Sequence, residues 1–204
     1  MRNSFSKEKK KGTILINIGL LLIVAAIFLA VYNVQDESRA NESRIEILEQ
    51  IVTESDKNPI VEFVPDYKKY PDMEMPIKEI DGKPYIGVLQ IPYLGLELPI
   101  MSEWSYPNLK IAPCRYEGSV YQNNMIIAAH NYNCHFGDLK SLLQGEKVSF
   151  TDMDGNAFEY EVIEMEIINP TDIERMKSGD WDLTLFTCTY GGRDRVTVRC
   201  SLME

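Results

Sequence analysis

The 204-residue chain carries 21 basic and 31 acidic residues, for a formal net charge of −10, with 45% hydrophobic and 25% charged residues. Those proportions are ordinary for a globular protein and leave out the disordered and fibrous classes. The acidic excess, with no basic stripe carrying interleaved aromatics, excludes a nucleic-acid partner, because such a surface repels a phosphate backbone.

Bases crowd the first eleven residues (Arg2, Lys7, Lys9, Lys10, Lys11), and an uncharged run of 19 residues, ILINIGLLLIVAAIFLAVY, follows at 14–32. At ~1.5 Å per residue the run covers about 28 Å, close to the ~30 Å hydrocarbon core of a bilayer. Asp36 and Glu37 come just after it, so the positive-inside rule predicts a cytoplasmic N-terminus and an external location for everything beyond Tyr32. A cleaved signal peptide would have a shorter apolar region, ~7–15 residues, and a small-x-small site. Leu29-Ala30-Val31-Tyr32 offers none, so a single-pass cell-membrane anchor is expected. The division expected is a basic tail at 1–12, a transmembrane helix at 13–32, a stalk or linker at 33–77 and a folded domain at 78–204.

Residues 35–58 are polar, with Ile45, Leu48, Ile51 and Val52 at helical spacing, which reads as a stalk helix. Pro59, Pro65, Pro71 and Pro76 then punctuate an irregular stretch. Short apolar runs follow at 85–91 (YIGVLQI), 94–100 (LGLELPI) and 125–129 (MIIAA), each bounded by turn residues. Residues 147–151 lead through Asp154-Gly155-Asn156, a hairpin signal, into the alternating 158–162, whose phase changes at Val162-Ile163 and predicts a bulge. Strands at 182–188 and 195–200 complete the set. Helical signals are limited to 136–143 and 171–177, the second with Thr171 as cap. Many short strands without long crossover helices predict an all-β fold, an antiparallel closed barrel with short helical connections and one N-terminal transmembrane helix.

The last two strands, TLFTC at 184–188 and RVTVR at 195–199, flank Gly191-Gly192. Hairpin geometry sets Cys188 opposite Arg195, and a neighbouring cation favours thiolate over thiol, the usual way to make a cysteine nucleophilic. Alternation puts Arg195, Thr197 and Arg199 on one face, which makes Arg199 the second candidate arginine. A thiolate attacking an amide also needs a proton donor for the leaving amine, and histidine suits that role. His130 ends the 125–129 strand, where a strand end fixes a side chain at a rim, whereas His135 lies in a polar loop and is expected to be solvated. The alternative for Cys188 is a buried structural thiol. Spacing assigns no disulfide among Cys114, Cys134, Cys188 and Cys200, and His130, Cys134 and His135 lack the tight ligand pairs of a zinc site, so no metal or cofactor is expected.

TLFTC followed by RVTVR resembles the TLxTC signature and arginine strand of the sortases, which anchor proteins to Gram-positive cell envelopes. YIGVLQIP with LPI at 98–100, IIAAHN at 126–131 and HFGDLKSLLQGEKVSF at 135–150 are similar to further segments of that family, so the likeness runs over about residues 78–200. It implies an eight-stranded β-barrel, an N-terminal signal-anchor and a catalytic trio of His130, Cys188 and Arg195, with Thr187 as a substrate contact. The implied reaction cleaves a C-terminal sorting signal of a secreted protein through a thioacyl-enzyme and passes it to an amine of a peptidoglycan precursor or a pilin. The rival readings are a cysteine peptidase, which hands the acyl group to water, and a non-catalytic adhesive barrel. Ala129 stands where many sortases have Gly, and the connection at 168–181 lacks the long helical insert of class B, which leaves the subclass open. Glu164, Glu166, Asp172 and Glu174 are read as a solvated acidic face, with a calcium site as the alternative.

Overall fold

The computed structural model describes the backbone of residues 2–55 and 65–203, with side chains at 15–52 and 65–203. The basic side chains of the first eleven residues, the expected end of the stalk helix at 56–58 and Pro59 lie outside these. The chain divides into two compact units, Met1–Ser38 and Arg39–Glu204.

The first unit is helical from Arg2 onward, as part of α1 (Arg2–Ser55), and that helix has the length and apolar composition to cross a membrane. Leucine, isoleucine and alanine without an internal proline let the ladder run uninterrupted. From Arg39 onward the same helix belongs to the second unit. There Ala40 and Ile47 are buried, and Ile47 packs in a cluster with Ile80, Tyr85, Met101, Leu109 and Cys114. Arg44 donates to the Glu97 carbonyl at 3.2 Å. The stalk stripe is therefore shifted: Ile47 meets the domain, while Ile45 and Val52 face outward.

The second unit holds β1 (Lys78–Ile80), β2 (Lys83–Ile91), β3 (Leu96–Met101), β4 (Cys114–Glu117), β5 (Met125–Ala128), β6 (Lys147–Asp152), β7 (Ala157–Ile168), β8 (Leu183–Cys188) and β9 (Arg195–Leu202). The order is β1-β2-β3-β4-β5-β8-β9-β7-β6, and β6 pairs back to β2. Eight strands thus close a barrel, and β1 is a hairpin appendix on β2 through Asp81 and Gly82, both at positive φ. β1 pairs with the start of β2, up to Tyr85, and β6 with Gly87–Gln90. Closure demands a glycine at 87, where any Cβ would run into the Thr151 carbonyl and the Phe150 ring.

Alternation buries Val148, Phe150 and Asp152 along β6 and Phe158, Tyr160 and Val162 along β7. The expected bulge lies between Val162 and Glu164 in the β7–β9 register. Within the 154–156 hairpin, Asp152 Oδ1 accepts from the Asp154 and Asn156 amides, both at 2.9 Å. The sheet is not wholly antiparallel: β3 meets β4 and β5 meets β8 in parallel. The β6–β7 hairpin serves as the crossover that a parallel pair needs, in place of a long helix.

The local helices also depart from expectation. Residues 136–143 form turns and a single 3-10 turn at Leu139–Ser141. α2 (Tyr106–Leu109) is capped by Ser105, and α3 (Ile173–Lys177) is capped by Asp172, whose side chain accepts from the Arg175 amide. Thr171 is therefore not the cap; it lies one residue before it, with its amide and hydroxyl both donating to Asn169 Oδ1.

Candidate active site

Three neighbouring strands end within two residues of one level. In the parallel β5–β8 pair Ala128 stands beside Phe186, and the Ala129 amide donates to the Phe186 carbonyl at 3.1 Å. β5 ends at Ala128, so His130 lies two residues beyond that strand, while Cys188, two residues after Phe186, is the last residue of β8, and both line one cavity. In the antiparallel β8–β9 pair Cys188 stands opposite Arg195. The order β5-β8-β9 therefore sets the thiol between a histidine and an arginine, all three half-buried.

The loop that joins β8 to β9 holds Arg195 in place. The Thr189 amide donates to the Asp194 carbonyl and the Asp194 amide to Thr189 Oγ1, while Gly191 and Gly192 take positive φ. Arg195 Nη1 donates to the carbonyls of Gly192 (3.3 Å) and Asp194 (3.1 Å). Thr187 is 2% exposed, and its hydroxyl donates to the Ala129 carbonyl at 2.9 Å, tying β8 to the residue just before His130.

A cavity of about 230 Å³ opens on these residues, lined by His130, Thr187, Cys188 and Arg195. Its remaining wall includes Trp104 and Tyr106 from the β3–β4 connection, Tyr116 and Phe186 from the barrel, and Ile173 and Met176 from α3. The rings form an edge-on chain, Trp104 to Tyr116 at 5.8 Å and Tyr116 to Phe186 at 5.4 Å. Sequence reasoning missed this aromatic wall. The available signal was the aromatic pair in SEWSYP at 102–107, two large rings in a segment between strands.

The second histidine corrects the expectation of a solvated loop. His135 is fully buried, and neither ring nitrogen has a hydrogen-bond partner among the described residues. Tyr132 lies between the two histidines, 4.8 Å from His130 and 5.5 Å from His135. Burial, then the positive neighbours His130 and Arg44, pushes the His135 imidazole down to about 4. The His135 and Gly137 amides both return to the Tyr132 carbonyl, which folds the loop back and carries His135 inward.

None of the four cysteines forms a disulfide. Burial pushes the Cys114 and Cys200 thiols up to about 12, whereas Cys134 and Cys188 are half-buried. Arg199, the second candidate arginine, is 1% exposed and bonded to Glu166, so it has no access to the cavity thiol. Glu166 and Asp172 are committed to Arg199 and to the α3 cap, and among the described residues no group of three His, Cys, Asp or Glu is placed to hold a metal.

A family model described as the sortase domain matches residues 89–203, more than half of the chain. The chain belongs to the sortase family. It is 30% identical over 125 residues to sortase A of Bacillus anthracis, covering 58% of this chain and 59% of that relative's length. Among solved structures, the fold is shared with a sortase D5 transpeptidase of Clostridium perfringens (22% identity, TM-score 0.58, 82% of this chain and 99% of that one). It is likewise shared with sortase C1 of Streptococcus agalactiae (25%, TM-score 0.54, 62% and 71%) and sortase A of Listeria monocytogenes (20%, TM-score 0.52, 59% and 88%). The matching structures thus span sortases of several classes, and the closed eight-stranded barrel is the sortase fold.

Proposed function

We propose that this sortase is a membrane-anchored cysteine transpeptidase that uses Cys188, His130 and Arg195 on C-terminal sorting signals of secreted proteins. The observation that carries the reading is the convergence of three strand ends on one aromatic-walled cavity. The Cys188 thiolate attacks the scissile carbonyl and the carbon–nitrogen bond breaks, with protonated His130 giving its proton to the departing amine. An incoming amine, from a peptidoglycan precursor or a pilin, then attacks the thioester. His130 takes that amine's proton, and the sulfur leaves as thiolate. Arg195, steadied through Nη1, has further N–H groups to offer the developing oxyanion or the peptide backbone. Thr187, its hydroxyl engaged, has a methyl group to offer the bound peptide.

We place the span at 13–32 with the N-terminus cytoplasmic, the linker at 33–77 and the catalytic domain at 78–204. Protease added to intact protoplasts should remove the domain and spare the Lys-rich tail, and protection of the domain would reverse the orientation.

Transfer and hydrolysis share the same thioacyl-enzyme, so the resolving nucleophile is the decisive measurement. Preference for an amine over solvent water requires positioning, and effective molarities of oriented groups reach ~10⁵ M or more. The full chain in detergent is given peptides ending in sorting-type sequences, with and without hydroxylamine or an oligoglycine amine. Slow cleavage without amine and hydroxamate or amide with it is the expected result. Rapid hydrolysis indifferent to added amine would leave a peptidase instead.

A further inference from the structure

One wall of the cavity is not barrel. It is α3, only five residues long, which contributes Ile173 and Met176 to the lining. A helix this short has no cooperative stability of its own, and most of its carbonyls have no intrahelical partner. It is tied to the barrel by the Lys177–Glu117 ion pair with β4 and, through its backbone carbonyls, by Arg199 of β9. The Arg199 Nη1 group donates to the Met176 carbonyl at 2.8 Å and to Thr184 Oγ1 at 2.9 Å. Nη2 donates to the Arg175 carbonyl at 2.7 Å and pairs with Glu166 Oε1 at 2.9 Å, the oxygen that also accepts from Nε at 2.9 Å. All five guanidinium donors are therefore used. The second Glu166 oxygen takes Nε and Nη2 of Arg175, so the carboxylate is clasped by one arginine of the barrel and one of the helix.

A buried ion pair is a poor way to gain stability, since apolar residues of similar volume do as well or better. Only a planar cation with five donors, however, can serve two helix carbonyls, a strand hydroxyl and a carboxylate together, which lysine cannot do. The pair sits four residues, ~13 Å along the strand, from the Cys188–Arg195 level, too far to act on the thiol itself.

We propose that Arg199 and Glu166 are positioning residues for peptide selection: they strap α3 to the barrel so that Ile173 and Met176 present a fixed apolar surface to an aliphatic side chain of the substrate. The proposal rests on reading the cavity as the peptide groove. It predicts an effect on peptide binding that leaves the chemistry of Cys188 untouched.

Two readouts on the full chain test it, and the first needs no substrate. In Arg199→Lys, the Met176 and Ser178 amides, which donate to the Asp172 and Glu174 carbonyls, should exchange hydrogen for deuterium at least tenfold faster, while β8 and β9 keep the parent rates. In the second, KM for a sorting-type peptide should rise at least tenfold with kcat within threefold, and Cys188 should react with iodoacetamide at the parent rate across the pH range. Unchanged exchange in α3, or a fall in kcat at constant KM, overturns the proposal. Should Arg199→Lys fail to fold, Glu166→Gln keeps shape and acceptor oxygen and is read the same way; failure of both to fold shows the pair holding the barrel rather than a groove wall, and also overturns it. If the parent turns over no peptide, the transpeptidase reading falls while the exchange measurement still decides the strap.

Discussion

The β8–β9 hairpin carries two cross-strand pairs of similar chemistry, Cys188 with Arg195 at its end and Thr184 with Arg199 in its middle. Both arginines lie on one face, yet Arg199 is enclosed with every donor filled, and Arg195 bonds, among the described residues, only to carbonyls of its own loop and faces a cavity. The same side chain becomes architecture where the sheet continues on both sides. Where the strands stop, it becomes available to a ligand. Position along the ladder, more than residue type, separates the two fates.

The sharpest test of that contrast is thiol reactivity. With the Cys200 and Cys114 thiols pushed up to about 12 from 9.0, their thiolate fraction at neutral pH falls ~10³-fold. In the folded protein iodoacetamide should modify Cys188 and Cys134 while Cys114 and Cys200 label only after denaturation, and Cys188→Ala should abolish thioacyl formation, both read by mass spectrometry. Next in size, Arg199→Met leaves Glu166 half-paired and the α3 carbonyls orphaned, and should cost ~3–5 kcal/mol in urea unfolding. Arg195→Lys should leave that unfolding curve in place but lower turnover ~10²-fold or more, because a point charge does not replace the planar fork. If Arg195 governed stability and Arg199→Lys lowered only kcat, the comparison would be inverted.

The histidines repeat the contrast at smaller scale. His135 titrates in the native state near 4, below its ordinary 6.5, so the folded protein favours the neutral ring. Its contribution is intact above pH 6.5 and is lost as the pH falls through about 4, reaching about 3 kcal/mol. The loss of urea midpoint between pH 7 and pH 4.5 should therefore be smaller in His135→Met than in the parent. Equal losses would mean that His135 is hydrated.

Features that depend on neighbours in the chain were legible in the sequence. The Cys188–Arg195 pairing, the bulge at residue 163 and the Asp154-Gly155-Asn156 turn follow from alternation and turn chemistry over a few residues. The parallel β5–β8 pair was not legible, because alternation reports which face a residue occupies but not which strand lies beside it. His135 was misplaced for a related reason: a polar loop implies solvent until a backbone turn, here the return of two amides to Tyr132, folds it inward. Arg199 read as a spare active-site cation because its partners Glu166 and Met176 sit on elements whose closeness only the closed barrel creates. The membrane-length helix and the signature around Cys188 needed no such long-range knowledge.

The parallel pairing of β5 with β8 also bears on how the enzyme comes into being. His130 and Cys188 are 58 positions apart in the chain, and the arginine strand follows β8. Non-local, parallel contacts close slowly, since loop entropy must be overcome before they are rewarded. The cluster of His130, Cys188 and Arg195 is therefore expected to assemble late in folding, when β9 docks between β8 and β7. Until then Cys188 has no ordered cation at its side. In refolding experiments the reactivity of that thiol should lag behind the return of the bulk β-sheet circular-dichroism signal, making the maturation of the Cys188 site a timer set by topology.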